Sequence, residues 1–208
     1  TPNCEQLIVR MITELFPPEE ITVITGGVEE TTQLLELKWD HIFFTGSPQV
    51  GKIVMKAASQ HLTPITLELG GKNPAIVDAS ANLKDTAQKL IWGKLINNGQ
   101  SCVSPNYVLV HSKIKAKLIV ELKKALTKMY GKTKEDIERN NELTRVVNKR
   151  HFKRITSLID NSIKQGANVV IGNDTNSDDN YISPTILDNI TTSSAIFKDE
   201  IFGPVLPL

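Results

Sequence analysis

The 208 residues are 40% hydrophobic, 23% charged and only 5% aromatic, which is enough apolar material for one or two ordinary soluble domains. Lysine and arginine (24) almost cancel aspartate and glutamate (23), so a net charge of +1 gives no electrostatic case for nucleic acid or an acidic membrane as partner. No run of about 18 apolar residues exists for a transmembrane helix, and two cysteines, Cys4 and Cys102, are too few for a disulfide framework and suit a reducing, intracellular and cytoplasmic setting.

Leu7, Ile8, Met11, Ile12 and Leu15 recur at the helical period, and Pro17-Pro18 ends that helix. Cys4 within it reads as a small packing residue. Residues 21–24 form a β-branched run, expected to be a short strand stopped by Gly26-Gly27. A helix over 29–37, a strand over 41–44, a glycine turn over 46–51 and a helix over 50–60 follow. Strands are expected at 64–69 and 75–77, separated by Gly70-Gly71, then a helix over 81–96 capped by Asn82 or Ser80. A loop over 97–105 leads into a strand at 107–110.

Two longer helices are predicted over 114–130 and 143–165. Ile114, Leu118, Leu122, Leu126 and Met129 share one face of the first. Its lysines (Lys113, Lys117, Lys123, Lys124, Lys128) read as the solvated face of an amphipathic helix rather than a polyanion site. Strands at 169–171 and 182–187 flank a polar loop, 172–180. Short strands alternating with helices argue an α/β fold with parallel strands, and a domain change fits near Gly70-Gly71. The closing run from Phe202 to Leu208 is apolar and expected to need a covering partner. Together with the opening at Thr1, it suggests a piece of a longer protein.

Three segments could carry chemistry. In Gly46-Ser47-Pro-Gln-Val-Gly51-Lys52, a strand, a glycine turn and a helix make an anion cradle, because the helix N-terminus supplies N–H groups and partial positive charge. A P-loop would need Ser or Thr after the lysine, where Ile53 stands; a plain strand-to-helix turn is the structural alternative. In Leu67-Glu68-Leu69-Gly70-Gly71-Lys72, Glu68 stands among apolar neighbours, where a desolvated carboxylate becomes a stronger base. Pairing with Lys72 would make it merely structural. In Asn97-Asn-Gly-Gln-Ser-Cys102-Val-Ser-Pro105, a cysteine occupies a polar loop, unusual for an unreactive thiol and suited to a nucleophile. The four histidines show no metal-ligand spacing with the cysteines, though one of them could serve a cysteine hydrolase as base. A phosphate cradle, a carboxylate and a loop cysteine together fit nucleotide-dependent covalent chemistry.

The combination resembles the aldehyde dehydrogenase family. Leu67-Glu-Leu-Gly-Gly-Lys-Asn-Pro74 is similar to its glutamate signature and Gly99-Gln-Ser-Cys102 to its cysteine signature, with Glu68 and Cys102 separated by 34 residues as in that family. Residues 44–51 resemble its dinucleotide loop, and Glu200-Ile-Phe-Gly-Pro-Val205 its nicotinamide-ribose motif. Gly26-Gly-Val-Glu-Glu-Thr-Thr32, His61-Leu-Thr-Pro64 and residues 200–207 are most similar to the class 3, or fatty aldehyde dehydrogenase, branch.

The resemblance implies an α/β molecule in two incomplete parts: the end of a parallel-sheet, Rossmann-like NAD(P)-binding domain (1–71) and the start of an α/β catalytic domain (72–208). It implies NAD or NADP as cofactor, with Gly46, Ser47, Gly51, Leu69, Gly70, Glu200 and Phe202 binding it. Ser47 would contact the pyrophosphate, Glu200 the nicotinamide ribose, and Phe202 would position that ring. It further implies that Cys102 attacks an aldehyde carbonyl, that hydride passes to the nicotinamide, and that Glu68-activated water hydrolyses the thioester to the acid. A hydrophobic aliphatic or aromatic aldehyde, a homodimeric parent and a tail that could anchor that parent to a membrane are part of the same expectation. Ser104 and Leu95 depart mildly from the family pattern. The family's oxyanion asparagine and adenosine-ribose lysine fall before Thr1, so little activity is expected of this stretch alone. Two other readings stand beside this one: a non-enzymatic binding unit or inactive family member, and a cysteine-dependent hydrolase or acyltransferase needing no nucleotide.

Overall fold

In the computed structural model, which describes residues 1–208, the chain divides into two units, Thr1–Leu69 and Gly70–Leu208. The first begins with helix α1 (Pro2–Leu15), whose end is set by Phe16, held extended in front of Pro17-Pro18. None of its residues is buried, and Leu7, Ile8, Met11 and Leu15 lie exposed along it. Cys4 is exposed as well, which corrects its reading as a packing residue. Residues 21–24 form no strand; their β-branched side chains favour extension, but no neighbouring strand supplies a ladder.

After α2 (Val28–Leu35) comes a β-α-β unit: β1 (Ile42–Thr45), α3 (Pro48–Ser59) and β2 (Ile65–Glu68). The strands are parallel, registered from Ile42 opposite Ile65 to Thr45 opposite Glu68. Ser47 caps α3 by accepting the Val50 N–H at 3.3 Å, and Pro48 takes the first helical position, where no amide donor is needed. The helix buries Gly51, Val54 and Ala58.

The second unit repeats the scheme with β3 (Pro74–Val77), α4 (Leu83–Leu95) and β4 (Tyr107–Val110), the strands again parallel. Asn82 is the cap of α4, accepting from Asp85 N–H. Helix α5 (Lys115–Tyr130) then packs on α4. Its Leu118, Leu122, Ala125 and Leu126 meet Ala87, Leu90, Ile91 and Leu95 in one core, and the lysines expected to be solvated are exposed. A short helix, α6 (Lys134–Glu138), was not expected from periodicity; Thr133 and Asp136 hold it by a reciprocal capping box.

Helix α7 (Lys149–Lys164) starts six residues later than its apolar pattern suggests. Asn148 caps it, accepting the His151 N–H at 3.0 Å, while Leu143 and Val146 are buried in the non-helical lead-in. Strand β5 (Asn168–Ile171) is followed by the pair β6 (Thr175–Asn176) and β7 (Tyr181–Ile182), a hairpin whose first strand lies inside the stretch expected to be a polar loop and whose second follows it. The single strand expected at 182–187 is split by Ser183-Pro184, since proline supplies no ladder donor, into β7 and β8 (Thr185–Asp188). Strand β9 (Val205–Pro207) completes a three-stranded sheet in the order β5-β8-β9, with β8 antiparallel to β5 and parallel to β9.

Strands β8 and β9 lie between two cores, so alternate residues serve each side. Ile186 and Leu206 join the α4–α5 core; Leu187 and Val205 join a second core with Phe152, Ile155 and Ile159 of α7. The closing apolar run is therefore covered within this unit, contrary to the expectation that it needs a partner: Ile201, Val205 and Leu206 are at most 1% exposed. Each such fully buried side chain contributes about 1.5–3 kcal/mol of transfer free energy. No helix is long and apolar enough to cross a membrane.

Candidate active site

The first unit brings Gly46, Ser47, Gly51, Glu68 and Leu69 together, because β1 and β2 end side by side. The ladder runs one bond beyond the strands, with Gly46 N–H donating to the Glu68 carbonyl at 3.0 Å. Gly51, one turn into α3, lies against Leu69; a Cβ there would come within 2.9 Å of a Leu69 methyl. Residues 47–50 are exposed, so the first turn of this 12-residue helix opens outward with its N–H groups and the positive end of its dipole. The phosphate groups of a dinucleotide fit that arrangement. Glu68 is exposed at the end of β2. The desolvation expected from its apolar sequence neighbours is absent, because Leu67 and Leu69 point elsewhere along the strand's alternation.

In the second unit, Cys102 is exposed on the loop between α4 and β4. Three consecutive left-handed residues carry the chain out of the helix: Asn97 (φ 48°), Asn98 (φ 56°) and Gly99 (φ 73°). Glycine is required at the third, since a Cβ would run into the Gly203 carbonyl. The loop is then tied on several sides. Gln100 accepts the Val147 N–H at 2.9 Å and donates to the Arg145 and Asn97 carbonyls. Asn73 donates from Nδ2 to the carbonyls of Cys102 (2.7 Å) and Ser104 (3.0 Å). Lys94, 3% exposed on α4, donates to the Pro105 carbonyl at 3.0 Å.

The segment Glu200–Phe202 is held just as firmly. Arg154 of α7 donates to the Ile201 carbonyl at 2.6 Å and to that of Glu200 at 3.4 Å. The Ile201 N–H donates to the buried side chain of Asn106 at 2.9 Å, which links this segment to the end of the cysteine loop. Lys72 donates to the Phe197 and Lys198 carbonyls just upstream. Gly70 leaves room for Glu200: a Cβ there would strike its carboxylate. Phe202 is half-buried with φ 48°, an uncommon conformation for an aromatic residue. Burial pulls the Lys94 ammonium down to about 7, against the opposing pull of the Glu200 carboxylate. Burial also lowers the Arg154 guanidinium from its usual range, opposed by Glu200 and Asp199. His151 is lowered by burial and then by the neighbouring charges of Arg154 and Arg150.

The second unit thus places Gly70 against Glu200 and connects the Cys102 loop to the Glu200–Phe202 segment through Asn106. Sequence reading offered Lys72 only as a possible partner of Glu68, not of the Phe197 and Lys198 carbonyls, and it missed Asn73, Lys94, Asn106 and Arg154. Lys94 carried a usable signal: with Leu90, Ile91 and Leu95 it falls on the buried face of α4. The others act through partners as far as 126 residues away, which no local pattern shows.

The profile of the aldehyde dehydrogenase family matches residues 1–208. The chain is 48% identical over its whole length to 4,4'-diaponeurosporen-aldehyde dehydrogenase of Staphylococcus aureus, of which it covers 44%. It is 41% identical over 206 residues to the dimeric NADP-preferring aldehyde dehydrogenase of Canis lupus familiaris, again covering 44% of that protein. Among solved structures, a substrate-bound Staphylococcus aureus AldH superposes over 99% of this chain and 44% of its own, with TM-score 0.89 and 46% identity. A betaine aldehyde dehydrogenase from Staphylococcus aureus in complex with NAD+ covers 89% of this chain and 38% of its own, with TM-score 0.76 and 30% identity. The chain spans less than half the length of these relatives.

Proposed function

The chain belongs to the aldehyde dehydrogenase family, and on that premise we propose that the protein oxidises an aldehyde to the carboxylic acid with NAD or NADP, using Cys102 as nucleophile and Glu68 as general base. The observation that carries this reading is the exposed Cys102 thiol on a loop whose Cys102, Ser104 and Pro105 carbonyls are tied down. A nucleophile needs access together with a fixed approach, and that loop offers both.

In this scheme residues 1–71 contribute to dinucleotide binding and 72–208 to the catalytic domain. Gly46, Ser47, Gly51 and Leu69 would hold the pyrophosphate side, and Gly70, Glu200 and Phe202 the nicotinamide-ribose side. The Cys102 sulfur adds to the aldehyde carbon as the thiol proton is transferred to the carbonyl oxygen, giving a thiohemiacetal. The nicotinamide, when bound, supplies the hydride acceptor. Loss of the carbon-bound hydrogen as hydride to that acceptor, together with the hydroxyl proton, would leave a thioester on Cys102. Glu68, exposed at its strand end, takes a proton from the water that attacks this thioester, and the acid leaves as the thiol re-forms. Val103, 80% exposed beside the nucleophile, and the exposed Ile96 favour a hydrophobic aliphatic or aromatic aldehyde. A homodimer is the proposed assembly, in keeping with the relative named as dimeric.

The test uses the full-length protein and follows NAD(P)H formation. Cys102→Ser should abolish turnover. Glu68→Gln should lower it by about 10²-fold or more while Cys102 remains open to iodoacetamide. Normal turnover in Cys102→Ser would overturn the nucleophile; normal turnover in Glu68→Gln would leave that carboxylate structural.

A further inference from the structure

We propose that Asn73 is a positioning residue for the thiol, its side-chain amide fixing the peptide that carries Cys102; this rests on reading Cys102 as the nucleophile. The β3–β4 ladder extends one rung before Pro74 and Tyr107, where Asn106 N–H donates to the Asn73 carbonyl at 2.8 Å. There the backbone pairing stops, since the chain turns into the cysteine loop. The Asn73 side chain takes over: one Nδ2 reaches the carbonyls of Cys102 and Ser104, at 2.7 and 3.0 Å. An amide nitrogen has two hydrogens, so this geometry uses its whole donor capacity.

The two carbonyls bracket Val103, which is 80% exposed. Tying the Cys102 carbonyl fixes the rotation about its Cα–C bond and with it the direction in which the side chain leaves the backbone. Gly71 makes the approach possible, since a Cβ there would stand 3.0 Å from both the Cys102 carbonyl and the Asn73 Oδ1. Glu68 and Asn73 lie in one short segment, so the motif that supplies the proposed base also supplies the brace for the proposed nucleophile. Displacing a reacting group by about 1 Å can cost about 10²-fold in rate.

The experiment compares Asn73→Ala and Asn73→Ser with the full-length wild-type protein and with Cys102→Ser. Asn73→Ala should lower kcat by about 10–100-fold and leave KM within about threefold, since the aldehyde's ground-state contacts are not the target. Alkylation of Cys102 by iodoacetamide, referred to Cys4 in the same molecule, should change by less than about threefold, because a small diffusing reagent needs no fixed approach. Asn73→Ser keeps one donor and should fall between the two; it decides the matter if the alanine variant does not fold. Wild-type kcat in the folded variants overturns the inference. So does a parallel loss of alkylation and turnover, which would mark Asn73 as part of the thiol's reactivity or of the fold. If Cys102→Ser remains active, the reading of Cys102 fails instead, whatever the Asn73 variants do.

Discussion

Lys94 titrates in a range that makes its burial measurable. In the unfolded chain a lysine holds its proton up to about pH 10.4; in the folded chain burial brings this down to about 7. Between those values the unfolded state binds more protons, so stability should rise with pH, by at most about 1.4 kcal/mol per unit. The destabilisation is full below about pH 7 and gone above about pH 10. Comparing wild type with Lys94→Met by urea unfolding from pH 7 to 9.5 should show the balance moving toward wild type as pH rises. A pH-independent difference would mean that water reaches the amine. Gly99 makes a second case at this scale: Gly99→Ala would force a side chain into left-handed backbone against the Gly203 carbonyl. A loss of about 1–3 kcal/mol from the backbone alone is expected in the same assay.

Among the elements, α5 and α7 depend on different things. Leu118 is fully buried between α4 and the sheet, so Leu118→Ala should cost about 2–5 kcal/mol through lost transfer energy and a residual cavity. Asn148→Ala should cost about 1 kcal/mol by freeing one orphan N–H of α7; thermal unfolding would rank the two. The face of α5 was legible from its leucine spacing, and the cap of α4 narrowed to Asn82 or Ser80, because each signal is local. The start of α7 was not, since Leu143 and Val146 continue the apolar pattern although they are buried from a non-helical segment. Residues 21–24 have the composition of a strand without a partner, while β6 and β7 have partners but are only two residues long each, too short for an alternating pattern to show. The glutamate and cysteine segments were likewise legible as motifs. Their tethers through Asn73, Lys94, Asn106 and Arg154 were not, because side-chain to backbone bonds across the fold leave no periodic trace.

At the level of the whole molecule the two units differ in what holds them. Among residues 1–69 only Gly51, Val54, Ala58 and Thr63 are buried, whereas the second unit has two continuous cores. Amide exchange on residues 1–208 should therefore find α1 and α2 exchanging through local opening, and β8, β9, α5 and the middle of α7 protected to the level of global unfolding. Equal protection in α1 would show that its stripe of leucine, isoleucine and methionine is covered. The same distribution of bonds bears on how the chain is made. Asn106 closes the cysteine loop, yet the amide it accepts from, at Ile201, lies 95 residues further along. At roughly 5–20 residues per second, a ribosome delivers Cys102 some 5–20 seconds before that bond can form. For that interval the loop that carries the thiol is held by ties made on its own side of the chain, those of Asn73 and Lys94 among them, and its link to the Glu200–Phe202 segment is the last to be fastened.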